Sequence, residues 1–290
     1  MEGNNEKSYN LFLGRHCSMN YPDYLLGAFR QAFKLKSNTL TFFLGSPYSM
    51  SRKSPFVLKV KEFWEELEKN GWDINKVVVH SPYITNLANT LNKRVFFWSV
   101  VTLKQEMRLM EQIGIRTLVI HPGSSLKASV KEGLDKLIVG LDQVLDSCPS
   151  GCIALETMCN KERTGGSFEH LAYVIKNVKQ GDRVGICWDT CHLFVAGYDI
   201  KHNLEGVIEE FKKNITIEKI WAIHVNDSQK GLGSGVDRHA SIGKGMIGLE
   251  ALRKIVYHPL FDGIPKFLET PGEDESENLK EIEMFKKCCD

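Results

Sequence analysis

Six side chains able to bind a metal or move a proton each stand at the end of a short apolar or β-branched run: His80, His121, Glu156, Asp189, His224 and Glu269. One histidine at the end of such a run is usually a surface or hydrogen-bonded residue. Six together are different. Imidazoles and carboxylates gathered in a partly dry cleft would leave like charges and unpaired lone pairs facing one another, at a cost of about several kcal/mol unless a cation neutralises them. Two shorter motifs extend the set. Asp189-Thr-Cys-His192 spaces ligand types three apart across a bend, and Asp237-Arg238-His239 places two on the same side of an extended segment, where they can chelate. A mixed nitrogen and oxygen donor set suits zinc first, with manganese or iron compatible; an all-oxygen set would have indicated magnesium.

The six runs belong to a series of eight: Leu11–Gly14, Leu40–Leu44, Val77–His80, Leu118–His121, Cys152–Glu156, Val184–Asp189, Ile220–His224 and Lys266–Glu269. Helical spacing fills the intervals. Phe56, Val60, Phe63, Trp64 and Leu67 form one stripe, Leu134, Leu137, Ile138, Leu141, Val144 and Leu145 a second, and Leu204, Val207, Ile208 and Phe211 a third. Eight strand–helix units without a long structureless linker predict one (β/α)8 TIM barrel, an α/β single domain over residues 1–290. Residues 1–9 read as a short polar extension, and Leu279, Ile282 and Phe285 as a closing C-terminal helix. In a parallel barrel every strand C-terminus lies on one face, so the six metal-binding types converge there.

These residues also carry a family resemblance. Val184-Gly-Ile-Cys-Trp-Asp-Thr-Cys-His192 with Ala196-Gly-Tyr-Asp199, and His224-Val-Asn-Asp-Ser228 leading through Val236-Asp-Arg-His239 to Ile242-Gly-Lys-Gly245, resemble signatures of the endonuclease IV family of apurinic/apyrimidinic endonucleases, and the likeness runs over nearly the whole chain. The resemblance implies three Zn²⁺ per chain. His80, His121 and Glu156 would hold the first, with Glu156 bridging to a second completed by Asp189, His224 and Glu269. His192, Asp237 and His239 would hold the third. Glu156 and Glu269 are the implied catalytic carboxylates. The expected reaction is hydrolysis of the phosphodiester 5′ to an abasic site in double-stranded DNA: a hydroxide bridging two zincs attacks phosphorus, and a 3′-hydroxyl and a 5′-deoxyribose phosphate are left.

The same resemblance implies DNA contacts from Tyr83 and Ile84, as a wedge entering the duplex, and from Tyr48, Arg238 and Lys244. Three departures fall in these loops. Gly45-Ser-Pro-Tyr48 stands where arginine or glutamine is frequent, Met19-Asn20 replaces a glycine pair, and Gly235 occupies a common arginine position. His16 is expected behind the ligands rather than among them.

Composition bounds rather than decides. The chain has 42% hydrophobic and 25% charged residues, ordinary for a folded protein with a sizeable core. A formal net charge of +1 is low for a DNA-binding protein, although bound zinc would make the concave face attractive to phosphate. Eight cysteines follow neither a paired framework nor a CxxC zinc pattern; Cys187 and Cys191 are expected in the core. The N-terminus lacks an apolar leader and no run is long enough to span a bilayer, so an intracellular, cytoplasmic monomer is expected, with no membrane partner. A metal-dependent sugar isomerase or epimerase on the same barrel is the main alternative. It would need no third ion, and would use a lysine or a second glutamate for proton transfer. A non-catalytic DNA-damage binder is a third reading, disfavoured because every ligand type is present.

Overall fold

In the computed structural model, which describes residues 9–272 and 274–286, eight parallel strands close on themselves: β1 Phe12–His16, β2 Thr39–Phe43, β3 Val78–His80, β4 Thr117–Ile120, β5 Cys152–Glu156, β6 Val184–Asp189, β7 Ile220–His224 and β10 Pro265–Leu268. β1 closes the ring by pairing with both β2 and β10. That closure needs Gly14, where a Cβ would stand 2.0 Å from the Thr39 carbonyl oxygen. Outside lie α1 Tyr24–Lys34, α2 Val60–Lys69, α3 Lys93–Ile113, α4 Val130–Leu145, α5 Phe168–Asn177, α7 Leu204–Asn214, α8 Leu249–Val256 and α9 Glu275–Lys286, while the short, wholly buried α6 Thr190–Val195 follows directly on the end of β6. An antiparallel pair, β8 Asp227–Ser228 and β9 His239–Ala240, folds over the barrel mouth beyond β7. The expected single-domain barrel is the fold.

Alternation along the strands sorts the core into two parts. Val79, Leu118, Ile120, Ile153, Leu155, Ile186, Ile223 and Leu268 pack outward into the main cluster shared with the helices. Val78, Val119, Ala154, Cys187, Ala222 and Phe267 form a separate cluster inside the ring. Because strand side chains alternate with a period of two, the next inward position on each of these strands lies two residues on. Those positions are His80, His121, Glu156, Asp189, His224 and Glu269. Gly14, beside Phe267, and Thr41, beside Val78, extend the same level, so that His16 and Phe43 complete the ring above.

Several element boundaries differ from the sequence reading. β4 and β10 end one residue short of His121 and Glu269, which extend the inward series from the first loop position. β1 runs two residues past Gly14 to His16. Phe56 does not join the α2 stripe: Lys59 adopts φ 55° and starts the helix afresh, leaving Phe56 98% exposed in a preceding 3-10 turn. The α4 and α7 stripes form as expected, α4 beginning with a Ser129–Glu132 capping box. Tyr9, assigned to a polar extension, is anchored instead; its hydroxyl donates to Val256 O at 2.7 Å and its ring packs on Tyr257. Residues 1–8 and Cys288-Cys289 lie outside the described residues. Ile282 and Phe285 bury the closing helix α9.

The inner layer is small because it supports a crowded one above it. Ala154→Leu, two residues below Glu156, should lower stability by about 1–3 kcal/mol, as overpacking of a fixed core does. A urea denaturation midpoint equal to that of the wild type would contradict this packing.

Candidate metal centre

Glu156 sits at the centre of the mouth with both carboxylate oxygens engaged. Oε2 lies 3.1 Å from His80 Nε2 and 3.0 Å from His121 Nε2, and Oε1 lies 3.2 Å from His224 Nδ1. The same Nδ1 is 3.2 Å from Glu269 Oε2. Asn226 joins the next two carboxylates: its amide donates to Asp189 Oδ2 at 2.7 Å, and its oxygen accepts from the Glu269 backbone N–H at 2.8 Å. A third group stands to one side, with Asp237 Oδ2 3.1 Å from His192 Nε2 and Oδ1 3.2 Å from His239 Nε2. Among the described residues the ligand-type atoms form five overlapping groups, each within 4.8 Å: His80/His121/Glu156, Glu156/Asp189/His224/Glu269, His192/Asp237/His239, His80/His224/Glu269 and Asp189/Cys191/His239. The first three have the membership that the family resemblance implied, Glu156 being common to two of them.

Local structure fixes the imidazoles for ligation. His80 Nδ1 lies 2.8 Å from Ser81 O, His192 Nδ1 2.8 Å from Thr157 O, and His239 Nδ1 3.1 Å from Glu269 O. A carbonyl can only accept, so in each ring Nδ1 carries the proton and donates, and Nε2 is left with its lone pair. Each of those Nε2 atoms faces a carboxylate, itself an acceptor. Two lone-pair donors about 3 Å apart need a proton or a cation between them. Asp189 also caps α6, Oδ1 accepting from His192 N–H at 2.7 Å, which ties the second and third sets together through one short turn.

The electrostatics express the same demand. Burial opposes charge on Glu156, yet the imidazoles of His121 and His224 outweigh it and hold the carboxyl well below its ordinary range. Burial likewise opposes charge on Glu269, and His224 overcomes it. For Asp237, hydrogen bonds from His192 and His239 reverse the effect of burial and hold the carboxyl far below its ordinary value. In return, His192 and His224 are driven well above the usual imidazole value against the penalty of burial, and His239 rises to about 9. Protons supply the positive charge these donors require when no metal does, so the donor set fits divalent metal ions.

Of the residues expected at DNA, Tyr83 is on the rim, half-exposed, with its ring 5.7 Å from His80, 5.6 Å from His121 and 6.0 Å from Tyr48. Its N–H donates to Pro47 O, joining the loops after β2 and β3. Ile84 and Tyr48 are also exposed beside it. Arg238 and Tyr83 line the metal cleft, of about 470 Å³. Lys244 does not; it is exposed on the loop after β9. That loop wraps the buried Asp227, whose carboxylate accepts from the N–H groups of Gly243, Gly245, Ile247 and Gly248. Gly235 adopts φ 67° and donates to Val195 O, a conformation that disfavours the arginine common at that position.

His16 stands in the ring beside Phe43, 4.5 Å between centroids, where burial lowers its pKa to about 4. Cys187 is in the inner layer, its thiol pushed up to about 12 by burial. Cys191 is buried as expected, but its Sγ lies 3.8 Å from Asp237 Oδ1, closer to the third group than a packing role required. Sequence reasoning missed the positioning residues Asn226, Thr157 and Asp227. Two of them, Asn226 and Asp227, had a signal in the polar run directly after His224.

Comparison with known proteins agrees with this geometry. Residues 29–288 match the xylose isomerase-like TIM barrel family. The chain is 41% identical over 284 residues to a probable endonuclease 4 of Staphylococcus aureus, covering 96% of this chain and 95% of the relative. It is 40% identical to a probable endonuclease 4 of Oceanobacillus iheyensis, with 95% and 94% covered. The crystal structure of endonuclease IV from Thermus thermophilus superposes with a TM-score of 0.82 at 25% identity, over 94% of this chain and 97% of that one. A D-tagatose 3-epimerase-like protein, at 21% identity and a TM-score of 0.68, shares the fold.

Metal removal should invert the pH dependence of stability. His239, with a folded value of about 9 against an ordinary 6.5, stabilises the metal-free fold fully below about pH 6.5 and loses that contribution as pH rises through 9. Chelated protein should therefore lose thermal stability between pH 6.5 and 9, while metal-loaded protein does not; parallel curves for the two forms would refute this account. By sequence, fold and the grouping of its metal-binding side chains, the chain belongs to the endonuclease IV family of xylose isomerase-like TIM barrels.

Proposed function

We propose that this protein is a zinc-dependent DNA repair endonuclease that hydrolyses the phosphodiester 5′ to an abasic site in duplex DNA, leaving a 3′-hydroxyl and a 5′-deoxyribose phosphate. The observation that carries the reading is the third donor group. His192, Asp237 and His239 form a complete set beside the Glu156-centred pair of sets, where an isomerase acting through one or two ions has no use for it.

His80, His121 and Glu156 would hold one zinc, Glu156 with Asp189, His224 and Glu269 a second, and His192, Asp237 and His239 a third. Bound there, zinc supplies Lewis-acid charge for a phosphoryl group and lowers the pKa of water toward neutrality. The chain's own side chains do the rest. Ser81 O, Thr157 O and Glu269 O orient three imidazoles, and Asn226 keeps Asp189 and Glu269 apart at a fixed spacing. Glu156, buried and ionised, sets the charge at the centre of the mouth.

The cleft is open, and a second depression of about 620 Å³ adjoins it between the loops after β1 and β2, lined by His16, Met19, Tyr24, Phe43 and Pro47 among others. An open mouth suits a polymer that crosses it rather than a small sugar enclosed within it. Tyr83 and Ile84 project beside that opening, and Arg238 stands across from them, consistent with a wedge into the duplex and a phosphate contact. The protein acts as a monomer in this reading.

Incision of a duplex carrying one tetrahydrofuran abasic analogue, beside an undamaged duplex and with metal content determined, tests the assignment. The analogue cannot undergo β-elimination, so a cut requires hydrolysis. About three zincs per chain and a cut 5′ to the lesion are expected. Glu156→Gln should lower the rate by roughly 10²–10³-fold or more, the scale on which loss of one charge-stabilising group acts. Full metal content without incision would instead direct attention to sugar substrates.

A further inference from the structure

The flank of the barrel carries a groove that the metal centre does not use. Along α3, Arg94, Trp98, Val101, Gln105, Arg108 and Gln112 recur at alternating intervals of four and three, the spacing of a helical seam that packs against a partner. Ile84 and Thr85, after β3, meet this seam at Arg94 and Trp98, and the rest of it is faced by the loop between β2 and α2. Arg52 of that loop pairs with the buried Glu106 and fixes its distance from the helix. Between them lies a cavity of about 630 Å³ lined by Lys53, Pro55, Val101, Lys104, Arg108 and Leu109 among others, with a smaller one of about 180 Å³ between Met50, Ile84, Arg94 and Trp98 further up the same seam.

Charge and apolar surface coincide there. Among the described residues, Lys53, Arg94, Lys104 and Arg108 have no ion-pair partner, no acidic side chain lines the larger cavity, and Glu106 on the same helix is already matched by Arg52. Trp98 is 48% and Phe97 57% exposed, their rings edge-on at 5.2 Å, and Phe56 projects freely from the facing loop. Exposed aromatic and aliphatic side chains next to arginines make up the composition of protein-binding hot spots. Duplex DNA fits less well. The α3 residues that line the larger cavity begin at Val101, eight residues and roughly 12 Å along the helix from Lys93, and run on to Gln112, and a phosphate backbone has no apolar side chains to place in a pocket floored by Pro55, Val101 and Leu109.

We propose that this groove binds an acidic amphipathic peptide segment of a partner protein, its apolar residues seated against Trp98, Val101 and Leu109 and its carboxylates paired with Lys53, Lys104 and Arg108. The inference is independent of the chemistry assigned to the metal centre. It assigns the flank to recruitment and leaves the mouth free for substrate.

Panning a phage library of random peptides of about 16 residues on the full-length, metal-loaded chain tests it. The enriched sequences should be net acidic, with at least two apolar residues at helical spacing. A synthetic representative should bind the Lys104→Glu/Arg108→Glu variant at least tenfold more weakly, and the milder Lys104→Gln/Arg108→Gln variant, which keeps the side-chain bulk, at least threefold more weakly. Melting temperature and metal content of the milder variant should match the wild type. Enrichment of neutral or basic peptides, no enrichment over bare support, or equal binding to both variants would overturn the proposal. So would displacement of the peptide by undamaged duplex DNA together with a raised KM for incision in the milder variant, which would make the flank a DNA track.

Discussion

Lone pairs facing lone pairs across about 3 Å are the constraint on which this structure turns. Glu156, Glu269 and Asp237 each meet imidazole nitrogens at 3.0–3.2 Å, and three of the rings are committed by their Nδ1 protons to present a bare Nε2. Such an arrangement repels itself unless positive charge enters it. The barrel tolerates it because its inner layer, Val78, Val119, Ala154, Cys187, Ala222 and Phe267, forms a rigid floor, and the closed hydrogen-bonded ring cannot splay to relieve the repulsion. The fold therefore holds in place a charge deficit that protons on the imidazoles, or divalent cations, can fill.

Much of this was legible in the sequence because two periodicities coincide. Alternation of two along a strand and a common direction for all eight strands place any residue at a strand end on one face, so the six ligands could be read from the ends of apolar runs. The match is closest for β5, β6 and β7, whose bounds coincide with their sequence runs. The ends of β4 and β10 were overdrawn by a residue, because an inward-facing residue continues the alternation whether or not its backbone still pairs. The Asp237-Arg-His239 chelate was visible as spacing and its partnership with His192 was implied by the family resemblance; the turn of α6 that Asp189 caps is what brings them together.

What the sequence did not disclose depends on contacts between distant segments. The role of Asn226 as a brace between two carboxylates requires β6, β7 and β10 to be adjacent, which no local pattern states. Phe56 looked like the start of a helical stripe because spacing carries no information about Lys59, whose left-handed backbone separates turn from helix. The cavity beside Lys104 and Arg108 likewise exists only because the loop bearing Arg52 and Pro55 lies against α3, a contact between segments about fifty residues apart.

The three imidazoles oriented for ligation are held by main-chain carbonyls, of Ser81, Thr157 and Glu269, and not by side chains. A carbonyl is present whatever residue occupies the position. Mutation at residue 81 or 157 can alter the surroundings of the centre without erasing the acceptor that selects the tautomer. Side-chain identity at these loop positions is thereby uncoupled from the choice of which ring nitrogen faces the cleft.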